Sequence, residues 1–258
     1  MTWRDLAPEP GILAALDHAD GGTGGKGQSG KRNWSERFAA GCAVAIADGL
    51  RAEKRRRRQL ARKIVRPESL AGGVEPITPL TSTISKKVDV TLTDPNLGLE
   101  IGFSLKGLNS PDDGRYGKNL TGRCYELSDE VRLIHRYLPR CVMVGIFFMP
   151  LEAAADAKSG PSTFARTFEA LRERSGRAGS LHGEDHFRCD HAFVGLYCRT
   201  ARDDIGRGAC RFAPVEEDPP MNGRPKVGTT LSLESMVARV LDAATESRLS
   251  LWAAPETD

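Results

Sequence analysis

Lys87-Val88-Asp89-Val90-Thr91-Leu92 alternates polar and apolar residues, and after Asp94-Pro95-Asn96-Leu97-Gly98 the run Leu99-Glu100-Ile101-Gly102-Phe103-Ser104-Leu105-Lys106 alternates again. Alternation at period two with a turn between predicts two adjacent strands. Leu99, Ile101, Phe103 and Leu105 are expected on the buried face, and Glu100, Gly102, Ser104 and Lys106 on the other. Asp89 lies on the polar side of the first strand, so pairing across the turn lets a carboxylate and a lysine converge off the core. Such a place can bind a divalent metal and activate a water.

Working outward, Leu127, Val131, Ile134 and Leu138 recur at helical spacing within Leu120 to Leu138, Cys141 to Met149 is a continuous apolar run, and Ser162 to Arg174 carries Phe164, Phe168 and Leu171 on one helical face. Ala192 to Cys198 reads as a further strand, and Leu233 to Arg248 as a final helix after a loop rich in Pro, Gly and charge. The expected fold class is α/β, a mixed central β-sheet with helices on both faces. With 258 residues, 40% of them hydrophobic, the chain can bury one substantial core.

Toward the N-terminus, Gly21 to Gly30 offers almost no side chain to bury and reads as a flexible linker, so residues 1–32 are expected to be an appendage to a domain spanning 33–258. Gly25-Lys26-Gly27-Gln28-Ser29-Gly30-Lys31 fits most of a phosphate-binding loop, but Arg32 replaces the terminal hydroxyl and no apolar strand precedes it. From Asn33 or Ser35 a helix with Glu36 in its first turn runs through Phe38 to Leu50. It is expected to continue into a basic helix, 51–66, where nine basic residues meet one acid, Glu53. Arg55, Arg56, Arg57 and Arg58 are its densest part and suit phosphate contacts; a solvated helix face is the plainer reading.

No apolar run approaches the roughly 20 residues of a membrane span, and the start lacks a basic then apolar leader, so a cytoplasmic protein is expected. The net charge of +3 is mild, although local basic density favours a polyanionic partner. Cys42, Cys124, Cys141, Cys189, Cys198 and Cys210 contain no CxxC pair and are expected to be reduced, mostly buried thiols. His182, His186, Cys189, His191, Cys198 and Cys210 cluster in sequence, but only His182 and His186 have a zinc-like spacing, so exposed histidines and buried cysteines are the preferred reading.

An early helix with Glu36, a strand with Asp89, a strand ending Ser104-Leu105-Lys106 and a following helix with Glu126 together resemble the PD-(D/E)xK nucleases. The closer resemblance is to restriction endonucleases in which serine replaces the second acid and a glutamate of the next helix takes over. It covers roughly Ser35 to Pro150, with Val88 in place of the motif's proline. The resemblance implies a restriction endonuclease-like fold with Asp89 as magnesium ligand, Lys106 orienting water, Ser104 at the substituted acid position and Glu36 near the metal. Glu126 is the first choice for the migrated acid and Glu130, one turn later, the second. Glu100 is six residues from Lys106, about 20 Å along a strand, too far to share the ion.

The implied activity is that of a Mg2+-dependent double-strand DNA endonuclease of restriction or phage defence, leaving 5′-phosphate and 3′-hydroxyl ends and acting as a homodimer or tetramer. Arg115, Lys118, Asn119 and Arg123 add candidate DNA contacts beside Arg55 to Arg58. Two rivals remain: a non-catalytic nucleic-acid-binding protein using the basic helix, and a nucleotide-binding protein using the Gly-rich segment.

Overall fold

The two alternating runs form an antiparallel hairpin, β4 (Val90–Asp94) and β5 (Gly98–Gly107), with Val90 opposite Phe103 and Leu92 opposite Ile101. Its turn follows from its residues. Asp94 Oδ1 accepts the amides of Asn96 at 2.8 Å and Leu97 at 3.1 Å, and Gly98 takes a φ of +82° that a side chain would resist. The register then steps so that Thr93 faces Leu99, leaving Glu100 as the extra residue of a bulge. Ile101, Phe103 and Leu105 therefore enter one hydrophobic cluster and Leu99 the other, which corrects the expectation of a single apolar face from Leu99 to Leu105.

The computed structural model describes residues 1–22, 28–70, 77–81, 84–109, 116–177 and 184–252. Before the hairpin come α1 (Pro10–Asp20), α2 (Gln28–Arg56), β1 (Ile64–Arg66), β2 (Ile77–Pro79) and β3 (Ser85–Lys87). After it come α3 (Leu120–Tyr137), β6 (Val142–Pro150), α4 (Thr163–Arg172), β7 (His191–Tyr197), β8 (Cys210–Pro214) and α5 (Leu233–Trp252). Six strands form one mixed sheet in the order β1-β4-β5-β6-β7-β8, and β2 pairs with β3 in a separate ribbon. β5, β6 and β7 are mutually parallel, while β1, β4 and β8 pair antiparallel to their neighbours.

Helices cover both faces of the sheet. Apolar residues of α1, α2 and α5 pack with Val90, Ile101, Phe103, Val144, Ile146 and Phe148, whereas those of α3 and α4 pack with Met143, Phe147, Met149, Val194 and Leu196. β6 is buried along its whole length, as its unbroken apolar run requires. α1 and α2 approach closely because Gly11 and Gly41 lack side chains: a Cβ on either would come within 2.6 Å of Ala45 or Ala15. Thus Ile12, Ala15, Leu16 and Ala19 belong to the main core, and residues 10–20 are not an appendage to it. Within the Gly-rich stretch, residues 23–27 lie outside those described. The chain is helical from Gln28, and α1, not a strand, precedes it, so the context of a phosphate-binding loop is missing.

The basic run is not one helix. α2 ends at Arg56, Arg57 takes extended angles, a 3-10 turn spans Arg58–Leu60, and Ile64–Arg66 is the edge strand β1. Leu60 and Val65 explain the break, since both reach the core beneath α2, which a continuous exposed helix would not allow. Among the described residues no helix is long and apolar enough to cross a membrane.

Candidate active site

The hairpin register brings Asp89 alongside the end of β5. Asp89 sits at the bend leading into β4, and its Oδ2 accepts the backbone N–H of Leu105 at 2.6 Å. On the face of β5 that looks toward α3, Ser104 is 2% exposed and its hydroxyl donates to Glu130 Oε2. Lys106 Nζ donates to the same oxygen at 2.8 Å. From the β2–β3 ribbon, Lys86 Nζ stands 3.8 Å from the other oxygen, Oε1. Two carboxylates thus contact consecutive residues of β5, and one of them is flanked by two lysines. The Cys189 thiol shares this neighbourhood; burial first, then the nearby carboxylates Asp190 and Glu130, push its pKa well up, so it stays protonated and is no nucleophile.

The structure brings Glu130 rather than Glu126 to Ser104 and Lys106. β5 and β6 are parallel, so α3 must run back along the sheet from the carboxyl end of β5, and residues earlier in the helix lie farther beyond that end. Glu126, one turn earlier, is exposed and pairs with Arg123 at 2.6 Å. Glu36 is also outside the cluster, on an exposed turn of α2 where it pairs with Arg32 at 2.7 Å. Glu100 is held at the far end of β5 by Lys63.

The expected DNA contacts divide similarly. Arg56 bonds Glu53 and Glu234, and Arg57 bonds Glu53 and Asp242, so both tie α2 to itself and to α5. Arg55 and Arg58 are exposed, without an acidic partner among the described residues. The run also lies away from the site: Lys54 donates to the carbonyl of Lys63, whose ammonium meets Asp94 and Glu100 at the turn of the hairpin. From Glu100 to Lys106 is about 20 Å of strand. Lys118 and Asn119 are exposed on a 3-10 turn leading into α3. Arg123 is engaged with Glu126, and Arg115 lies outside the described residues. Nothing in the residue pattern marks Lys86, because β3 is only three residues long and is a strand through its pairing with β2.

Among the described residues no three His, Cys, Asp or Glu side chains gather to hold a metal. His182 lies outside those residues, and Cys189, Cys198 and Cys210 are buried as free thiols like the other three cysteines. The chemistry of the donor set nonetheless fits magnesium: Asp89 and Glu130 are hard oxygen donors, and one or two carboxylates with substrate phosphates are what that ion uses at phosphoryl sites.

A second buried ionic group lies on the same face as α3. Asp190 accepts Arg177 Nε at 2.9 Å and the Met143 amide at 2.7 Å, and His135 Nε2 stands 3.2 Å from it. Burial opposes its charge, yet these partners hold its pKa below the ordinary value. Arg177 also donates to the carbonyls of Pro139 and Cys141, so the group clamps the start of β6 and has a structural role.

Comparison with family models, with curated proteins and with solved structures returned no match for this chain.

Proposed function

We propose that this chain is a magnesium-dependent nuclease of the restriction endonuclease-like kind, hydrolysing phosphodiester bonds of double-stranded DNA. The observation that carries the reading is the convergence of Asp89, Ser104, Lys106 and Glu130 at one end of a β-hairpin. The order of elements supports it: helix, antiparallel hairpin, crossover helix, parallel strand, with the migrated acid on the crossover helix.

In this reading Asp89 and Glu130 are the residues that would hold magnesium, which when bound supplies a polarised phosphate oxygen and a more acidic water. Lys106 directs its ammonium protons at the water or at the charge developing on the phosphate. The Leu105 amide fixes the Asp89 carboxylate, and the Ser104 hydroxyl fixes Glu130, so both acids are oriented before substrate arrives. Lys86 on β3, 3.8 Å from Glu130, and Lys118, exposed on the turn before α3, are suited to flanking phosphates. A homodimer acting on both strands in phage defence belongs to the same proposal.

Incubating supercoiled plasmid with the purified protein tests it. Nicked and linear products with magnesium, absent with chelator and absent in Asp89→Ala, support the proposal; intact plasmid under all conditions refutes it. A protein that binds DNA with strong salt dependence but never cleaves it would be the non-catalytic binder instead.

A further inference from the structure

The carboxyl ends of the parallel strands β5, β6 and β7 open onto a polar cavity of about 350 Å3, whose walls include Asn109, Tyr116, Glu152, Tyr197, Arg199 and Thr200. Its size is within the range of small-ligand sites, about 300–1,000 Å3. The cavity lies across the crest of the sheet: Tyr116 packs against the α3 side of the core, while Tyr197 and the neighbouring Trp34 belong to the α2 side. It is also tied to the end of β5 that carries Lys106. The Leu108 amide donates to the Phe148 carbonyl at 2.9 Å, and Asn109 Oδ1 accepts from the Tyr197 hydroxyl at 2.9 Å. From Lys106 to Asn109 the chain spans at most about 10 Å.

Charge in the cavity is unbalanced. The acid in its walls, Glu152, accepts from Arg202 at 2.7 Å, whereas Arg199 meets no acid among the described residues. The half-buried Arg199 guanidinium lies 4.1 Å from the centre of the Trp34 ring, and that ring is itself fixed. Trp34 stacks on buried Phe38 at 5.2 Å, and its indole N–H donates to Asp20 at 2.7 Å. A guanidinium held against an aromatic face keeps its in-plane N–H fork free, and that fork matches the oxygens of an oxyanion.

Tyr116 and the exposed Thr200 bring hydroxyls to the same space. Burial first, then the carboxylates of Glu152 and Asp156, push the Tyr116 phenol above its ordinary pKa, so it remains a donor. The fork of Arg199 takes two oxygens, which suffices for a carboxylate, and the two further donors call for the additional oxygens of a phosphate. We propose that this cavity is a phosphate-binding subsite, with Arg199 as its anchoring cation and the Tyr116 hydroxyl as a second donor, separate from the Asp89–Lys106 cluster. That the phosphate belongs to a DNA strand rests on the nuclease reading; the subsite itself does not.

Titration with inorganic phosphate and with acetate, without magnesium, tests the subsite by tryptophan fluorescence and calorimetry, because Trp34 lies against the anchoring cation. Saturable phosphate binding is expected in the wild type, with acetate about ten-fold or more weaker. Arg199→Ala should weaken phosphate by about ten-fold or more, Arg199→Lys nearly as far because an ammonium has no fork, and Tyr116→Phe by a smaller factor. If Arg199→Ala does not fold, Arg199→Lys carries the same test. No saturable binding to the folded wild-type chain, acetate bound as tightly as phosphate, or phosphate binding unchanged in a folded Arg199 variant overturns the proposal. A single-stranded oligonucleotide separates the sources. A salt slope reduced by about 0.7 in Arg199→Ala means a phosphate of a strand, and an unchanged slope with phosphate binding lost means a free phosphate compound; either supports the subsite. A chain that binds phosphate through Arg199 but never cuts DNA refutes only the nuclease reading, and one that cuts but binds phosphate without regard to Arg199 refutes only the subsite.

Discussion

Lys106 Nζ stands 2.8 Å from Glu130 Oε2, and the same oxygen takes the Ser104 hydroxyl. The carboxyl end of β5 and the crossover helix α3 are thereby locked together. A carboxylate of α3 thus stands beside the side chains of Ser104 and Lys106.

The first prediction follows from that geometry. Glu130→Ala should lose magnesium-dependent cleavage by at least about 100-fold, whereas Glu126→Ala should stay near wild type because its carboxylate faces solvent beside Arg123. Initial rates on one duplex substrate check it. The reverse ranking would mean that the acid is one helical turn earlier.

Returning the acid to the strand is a stricter test. Ser104→Glu combined with Glu130→Ala should recover part of the activity lost in Glu130→Ala, since the new carboxylate starts from a position adjoining the same oxygen. Ser104→Ala should cost far less than Asp89→Ala, because a hydroxyl brings no charge to the ion. A folded double variant with no gain over Glu130→Ala would count against the substituted-acid assignment.

How much of this was legible in the sequence differs by element. The hairpin, α3, α4 and α5 follow from periodicity, because each buries a face of its own, whereas β6 and β7 follow from apolar runs buried on both sides. β8 did not stand out, since Cys210-Arg211-Phe212-Ala213-Pro214 is short and surrounded by turn residues, and it is a strand because it pairs with β7. The helical reading of 51–66 holds to Arg56 and fails beyond it because charge density hides Leu60 and Val65, whose burial sets the path of the chain. Asp89, Ser104 and Lys106 were readable from strand alternation. Glu126 and Glu130 both border the apolar stripe of α3, and only the direction in which the helix crosses the sheet separates them.

The basic run yields a prediction that splits neighbours. Arg55→Ser and Arg58→Ser should weaken DNA binding on all sequences alike and reduce the salt slope by about 1 for each phosphate no longer neutralised. Arg57→Ala should instead lower thermal stability, as buried Glu53 is deprived of a partner and Asp242 is released. Binding isotherms at several salt concentrations, with melting curves beside them, distinguish these effects.

Lys63 carries a pH-dependent prediction. Its hydrogen bond, with the Asn96 amide, lowers the Asp94 pKa to about 2. A depressed carboxylate contributes stability that is present above its unfolded pKa, about 4, and is lost as pH falls toward about 2. Lys63→Met should therefore flatten the fall of stability between those values. At pH 7 it should lower stability, because buried Glu100 loses this ion pair. Urea unfolding across pH 2–7 measures both; an unchanged acid profile would contradict the assignment.

The most direct test of the nuclease assignment is the rate of magnesium-dependent cleavage of phage DNA by Lys106→Met against wild type, with end chemistry read by ligation. The account predicts 5′-phosphate, ligatable ends from the wild type and a loss of about 100-fold or more in the variant, with duplex affinity nearly unchanged. Equal rates in a folded variant, or no magnesium-dependent cleavage by the wild type, would contradict it.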